Sequence, residues 1–275
     1  LSDNARSIIK ANKERLVSHL SAAQALLTIQ AKTVENEAML ASFCQKRLWI
    51  IDEINDIGSN YNQPILLRLD GDINVDSLEV SFRRVIERHS ALRTIFSEKD
   101  AEVYQTVNSQ WDFNLQVEDL SACSQQHIDS SLRELVDGLT TQVFDLSKDL
   151  LIRASLIDLG NSTHDATGKK WVLAIIVHHI AFDAKSINIF CNELSFNYEQ
   201  LISNKDDKLP PLAVQYADYA LWQRHWLTDE KVNEQLHFWK NKLIDIPSVH
   251  SFPLDKPRPE KQTFNGRKIT KPLSK

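Results

Sequence analysis

Glycine is scarce in this sequence, and its spacing constrains what the chain can build. Six glycines occur in 275 residues, at positions 58, 71, 138, 160, 168 and 266, about a third of the usual frequency of roughly 7%. The nearest two, Gly160 and Gly168, are eight positions apart. Phosphate-cradling loops, dinucleotide-binding fingerprints and the G-x-S-x-G elbow all need closer glycines, so those architectures are excluded. Lys plus Arg number 32 against 37 Asp plus Glu, a net charge of −5. No global basic field draws this chain to nucleic acid. The three cysteines, Cys44, Cys123 and Cys191, are too few and scattered for a zinc ribbon or a disulfide scaffold. They suit a reducing compartment, and a cytoplasmic location is expected. The longest aliphatic run, Trp171 to Val177, falls far below the ~18 apolar residues of a membrane span. The sequence starts at Leu1 and its only Met is Met39, so it is expected to be a piece of something longer.

Hydrophobic periodicity divides the chain. Residues 2–30 read as a helix capped by Ser2 or Asp3, with Ile8, Ile9, Leu16, Leu20, Ala23 and Leu27 near helical period. Residues 1–36 are therefore expected to be an N-terminal helix and linker. From Met39 onward, extended and helical segments alternate. Strands are expected at 64–69, 92–97, 102–107, 112–120, 150–159 and 171–178, with a hairpin over Glu98-Lys-Asp100. Helices are expected at 75–89, 127–141, 185–202, 214–227 and 230–244. The stretch 160–169 is rich in turn formers, the prolines of 253–259 cannot sustain a helix, and 264–271 has the pattern of one more strand. The class is α+β, without the strict alternation of a Rossmann fold.

The segment Val177-His178-His179-Ile180-Ala181-Phe182-Asp183-Ala184-Lys185-Ser186 ends a very apolar strand and precedes a helix. Neighbouring strand side chains point to opposite faces, so His178 and His179 cannot both ligate one metal without a break between them. No third ligand stands out, and no metal is expected. Asp183 is placed to orient an imidazole, cap the next helix or pair with an arginine. Spacing alone does not rise above two hydrogen-bonded histidines and an N-cap.

The wider pattern is more specific. His178-His179-x-x-x-Asp183 resembles the His-His-x-x-x-Asp-Gly signature of the condensation domains of nonribosomal peptide synthetases, with Ala184 where the family has Gly. Ser42-Phe-Cys-Gln45-Lys-Arg47-Leu48-Trp49 resembles the family's opening motif. Arg88-His89-Ser90-Ala-Leu92-Arg93-Thr94-Ile-Phe96 resembles its second, and Tyr216-Ala-Asp218-Tyr219-Ala-Leu-Trp222-Gln223 a later one, followed by Leu254-Asp-Lys-Pro257-Arg258-Pro259. These motifs keep the family's order across residues 42–259. The resemblance implies a chloramphenicol acetyltransferase-like lobe, a mixed sheet with flanking helices, with the second lobe mostly missing. Residues 37–205 are then the N-terminal lobe, 206–260 linking helices and a Pro-rich connector, and 261–275 the first strand toward the absent lobe. The sequence alone is expected to be catalytically incompetent.

The same resemblance implies the chemistry. His179 is the catalytic candidate, with His178 supporting. An arginine of the second motif is expected to be buried against Asp183, and Arg93 is assigned that role with Arg88 as the fallback. Ala184 keeps the backbone N–H but adds a Cβ, and would cost ~1 kcal/mol if the position required positive φ. The resemblance further implies that the domain binds no cofactor and that its substrates arrive on the 4'-phosphopantetheine of upstream and downstream peptidyl carrier proteins. An imidazole near pKa 6.5 and an α-amine near 8 can exchange a proton at modest cost. Residues 8–20 resemble the last helix of a tubulysin-type docking domain, which implies the C-terminal docking segment of an upstream synthetase as a further partner; an amphipathic spacer helix is the competing reading. An epimerisation domain, a coenzyme A-dependent acyltransferase of the same superfamily and a non-catalytic docking or interaction module are the alternatives. Heterocyclisation is disfavoured because that branch replaces the histidine pair.

Overall fold

The structure is a computed structural model, and it describes residues 9–15, 28–55, 58–124, 126–161, 169–205, 207–248, 251–257, 260 and 271. Its centre is the strand β7 (Lys169–His178), read off one unbroken apolar run. All of its residues from Trp171 to His178 are buried. A run that is apolar at every position has no solvent face, so both sides of the strand must be covered. Alternation then sends Trp171, Leu173, Ile175 and Val177 into one cluster and Val172 and Ala174 into another, while Ile176 joins a third with Phe144 and Leu151.

Strand β7 pairs antiparallel with β2 (Asn62–Asp70) on one side and β6 (Ile152–Asn161) on the other. The short β5 (Gln116–Asp119) adds to β6 in parallel, giving the order β2-β7-β6-β5. A second sheet has the order β1-β4-β3, from Ala38–Leu40, Glu102–Val107 and Thr94–Lys99. Its β3–β4 hairpin turns on Asp100 and Ala101, both left-handed at φ 53° and 60°, the geometry that two-residue hairpins need. The mixed sheets and flanking helices agree with the expected α+β lobe.

Helices α1 (Phe43–Asn55), α2 (Val75–Arg88), α3 (Ile128–Thr141), α4 (Ala184–Ile202) and α5 (Tyr216–Trp226) surround the strands. Asn74 caps α2, its side chain accepting from the Ser77 amide at 2.8 Å, and Leu78, Phe82, Val85 and Ile86 form its buried stripe. These pack with Phe190 and Leu194 of α4 on the Leu173–Ile175 side of β7. Val136 of α3 covers the opposite side beside Val172 and Ala174.

Strand β1 and helix α1 were not expected from the sequence, and only 116–119 of the extended segment 112–120 pairs as a strand. The chain separates into compact units at 1–228 and 229–275. In the second unit, α6 (Asp229–Lys242) has no buried residue. Of the helix expected at 2–30, residues 9–15 and 28–30 are described; 9–11 and 13–15 are helical, and 28–30 are not. The remainder up to residue 27, and nearly all of the expected last strand at 264–271, lie outside the described residues.

Phe82 is fully buried, stacked on Phe113 at 5.0 Å between centroids and tilted against Phe190 at 5.8 Å. Truncating it leaves a void that this rigid sheet–helix junction cannot close. Phe82→Ala is expected to cost about 3–5 kcal/mol in denaturant unfolding. Leu66→Ala, at a half-exposed strand position, is expected to stay within about 0.5 kcal/mol.

Candidate active site

Strand β7 ends at His178, and the next five residues reverse the chain into α4. The pairing ladder runs one step past the strand: the His178 N–H donates to Leu151 O at 3.0 Å and the His179 N–H to Tyr61 O at 2.9 Å. Both histidines are thus anchored through their backbones while their side chains diverge.

His178 faces inward and is fully buried, with the Phe144 ring edge-on at 5.9 Å and the Tyr61 ring at 6.3 Å. Arg153 covers Phe144, its guanidinium carbon 3.8 Å from the ring centre. The His178 Nδ1 accepts the Ile180 N–H at 3.2 Å. An amide can only donate, so Nδ1 is unprotonated and the proton sits on Nε2, which has no hydrogen-bond partner. Burial, helped by the neighbouring His179, pushes the His178 pKa down to about 4. This ring stays neutral and acts as a spacer that bonds the turn.

His179 has the opposite tautomer. Its Nδ1 lies 2.6 Å from the carbonyl oxygen of Phe182. A carbonyl can only accept, so Nδ1 carries the proton and Nε2 of the neutral ring is a bare lone pair. The ring is half-buried. A bond from the residue's own turn therefore fixes both the orientation of the imidazole and the nitrogen available for chemistry.

Asp183 starts α4. Its Oδ1 accepts from the Ser186 amide at 2.9 Å and the Ser186 hydroxyl at 2.7 Å, while the Asp183 N–H reaches back to Ser186 Oγ at 3.3 Å. This is a reciprocal capping box. The two bonds from Ser186 hold the Asp183 carboxyl below the usual carboxylate range, with the Lys185 amide acting the same way. Ala184 opens the helix, exposed, and is not among the left-handed residues. The strain considered for a β-carbon at this position is absent.

The expected Arg93–Asp183 pair does not form. The Arg93 guanidinium is buried against Glu35 at 2.6 Å, with Glu87 at 3.8 Å, and it donates to Asn108 O at 3.0 Å. Leu92 enters the core that covers β7, so its successor turns away from the catalytic turn. The fallback Arg88 binds Glu193 at 3.1 Å and also donates to the Pro210 carbonyl. The Asp183 charge is met by the start of its own helix instead.

Two groups at the site were missed from the sequence. The Phe182 carbonyl is backbone, and no residue type announces it. Ser186 was readable, as the fourth residue of an Asp-x-x-Ser capping pattern. Behind the turn lies a cavity of 210 Å³ lined by Phe182, Ser186, Ile189, Phe190, His89 and Tyr216 among others. Burial raises the Tyr216 phenol, whose oxygen is 3.1 Å from Ser42 Oγ. Among the described residues, no group of three or more His, Cys, Asp or Glu is placed to hold a metal.

Comparison with known proteins locates this arrangement. The family model described as Condensation domain matches residues 35–275. A linear gramicidin synthase of Brevibacillus parabrevis is 36% identical over 239 residues, which is 87% of this chain and 5% of that protein. The X-domain from teicoplanin biosynthesis, solved in complex with OxyB, superposes with a TM-score of 0.70 at 28% identity, over 84% of this chain and 49% of that one. The starter condensation domain of rhizomide synthetase RzmA gives 0.64 at 15% identity, over 78% and 49%, a likeness of fold. The chain thus spans about half of these solved structures and a twentieth of that synthase.

The depressed His178 pKa gives a signed pH dependence. Folding favours the neutral ring, so this stability is complete above the unfolded value near 6.5 and is lost as pH falls toward 4. The parent is expected to lose roughly 3 kcal/mol more than His178→Gln between pH 7 and pH 4. Urea unfolding across that range measures it; parallel curves would contradict the assignment.

Proposed function

The chain belongs to the condensation-domain family, and from that membership we propose that it is the His-bearing lobe of an acyltransferase that joins two carrier-bound thioesters through an amide. The observation that carries this reading is the Nδ1–H bond from His179 to the Phe182 carbonyl, which leaves Nε2 free at the end of a rigid strand.

The chemistry needs little more. The acceptor α-amine attacks the donor thioester carbonyl, forming the C–N bond of a tetrahedral intermediate. The C–S bond breaks and the thiolate leaves. His179 Nε2 orients the amine by accepting its N–H, takes a proton as nitrogen becomes cationic, and returns it to the departing sulfur. A neutral amine is already nucleophilic, so holding two tethered reactants together supplies much of the rate, and proton transfer at His179 adds to it. His178, buried and neutral, supports the turn. Asp183 and Ala184 start the helix that carries the turn's far end. Arg93 has no part in the reaction.

The substrates are an acyl or peptidyl group and an aminoacyl group, each on the 4'-phosphopantetheine of a peptidyl carrier protein. The setting is the cytoplasm, where such carriers work. No helix among the described residues is long and apolar enough to cross a membrane. Residues 8–20 are offered as a docking segment for the tail of an upstream synthetase.

Because the chain spans half of its structural relatives, the assay supplies the second lobe and both loaded carriers. His179→Ala is expected to lower peptide formation by about 10²–10⁴-fold with the thermal midpoint unchanged. Near-parental turnover in that variant would overturn the reading.

A further inference from the structure

Two of the motifs found in the sequence hold charged residues that the site does not use, and the structure brings both to the same place. Asp218, from the Tyr216–Gln223 motif, is buried with 2% of its surface exposed. Arg93, from the Arg88–Phe96 motif, has 5% exposed. Neither buried charge is answered by the other. Each is answered by the segment that precedes β1.

Asp218 Oδ1 accepts three hydrogen bonds from that segment: the Lys32 amide at 2.6 Å, the Thr33 amide at 2.7 Å and the Thr33 hydroxyl at 2.7 Å. Its second oxygen accepts the Gln215 N–H at 2.7 Å, which closes the N-terminal turn of α5. Arg93 meets Glu35 at 2.6 Å. Between and beyond these two jaws, the Asn36 N–H donates to Val107 O at 2.8 Å, and its side chain exchanges bonds with Ser109 at 2.8 and 3.1 Å. Asn36 is left-handed, at φ 61°, so the chain bends there before it joins the sheet.

We propose that residues 32–36 form a clasp, gripped by Asp218 and Arg93, that fixes where the preceding segment meets the lobe. The recognition is chemical and set in register. A buried anion takes the two amides and hydroxyl at 32–33, and a buried cation takes the carboxylate at 35. A slip of one residue would put Val34 where Thr33 lies and Asn36 where Glu35 lies. Asp218 would then keep backbone amides but lose the hydroxyl, and buried Arg93 would lose its nearest carboxylate, which is costlier than losing an exposed pair. The groove is therefore suited to an extended segment of the form Thr-x-Glu-Asn, and its occupant is this chain's own strap. The clasp also reaches the site's supporting wall. Gln215, tied by Asp218, bonds the amide and hydroxyl of Ser90 at 3.1 and 2.9 Å. Its neighbour Tyr216 lines the cavity behind Phe182.

The test is hydrogen exchange on the whole chain, comparing the parent with the strap-side double variant Thr33→Val/Glu35→Gln. Both changes lie on the strap, outside the core and the catalytic turn. In the parent, the Lys32, Thr33 and Asn36 amides are expected to be protected. In the variant they are expected to exchange about tenfold faster or more, while the Leu173–Val177 amides of β7 keep their parental rates. Unprotected strap amides in the parent, unchanged rates in the variant, or β7 amides that accelerate in step with the strap would each overturn the clasp.

Discussion

Burial on both faces of β7 is the constraint from which the rest of the structure follows. A strand covered by α2 and α4 on one side and by α3 on the other cannot slip, because a one-residue shift would exchange Leu173 and Ile175 for Val172 and Ala174 in the two clusters. That fixed register sets the end of the strand at His178. The residue that continues the alternation inward becomes a buried, neutral ring, and the one that follows it emerges beside the turn. The two histidines differ in tautomer because the turn gives each a different backbone partner. Ile180 donates to one, and Phe182 accepts from the other.

The charges of the lobe are managed locally rather than by one central ion pair. Asp183 is satisfied by Ser186 and the first amides of α4, which makes it a fixture of the helix start. Arg93 and Asp218 are spent on residues 32–36, on a different part of the lobe. His89 and Arg88 share Glu193, at 2.6 and 3.1 Å, tying the end of α2 to α4. Asp183 is thus answered within its own turn and helix start, and Arg93, Arg88 and Asp218 are answered elsewhere, so the catalytic turn has no long-range ion pair among these contacts.

Much of this was legible in the sequence where a single physical pattern dominated. The run Trp171–Val177 reads as a strand, and the Leu78-Phe82-Val85-Ile86 stripe reads as one face of a helix; both are found, and the structure adds that the strand is covered on both faces. Helix α1 escaped notice because Leu48, Trp49, Ile50 and Ile51 follow one another instead of recurring at helical spacing, and their burial is shared among several neighbours. Strand β1 is three residues long and exists because β4 accepts it. The partner of Arg93 was misassigned for a different reason. A motif records that an arginine is buried, whereas its counter-charge, Glu35, lies in a polar stretch that reads as a linker. The Phe182 carbonyl carries no signal in residue type at all, since any amino acid supplies it.

Base chemistry at the end of β7 depends on which nitrogen of His179 is bare. Selective ¹⁵N labelling of histidine and long-range proton–nitrogen correlation, at a pH where the ring is neutral, reads the tautomer directly. The structure requires the proton on Nδ1 and a pyridine-like Nε2, and replacing the ring's neighbour His178 by Gln should leave that assignment in place. A His179 ring found with its proton on Nε2 would mean that the bond to the Phe182 carbonyl does not exist in solution, and that Nε2 is not the base offered to an incoming amine.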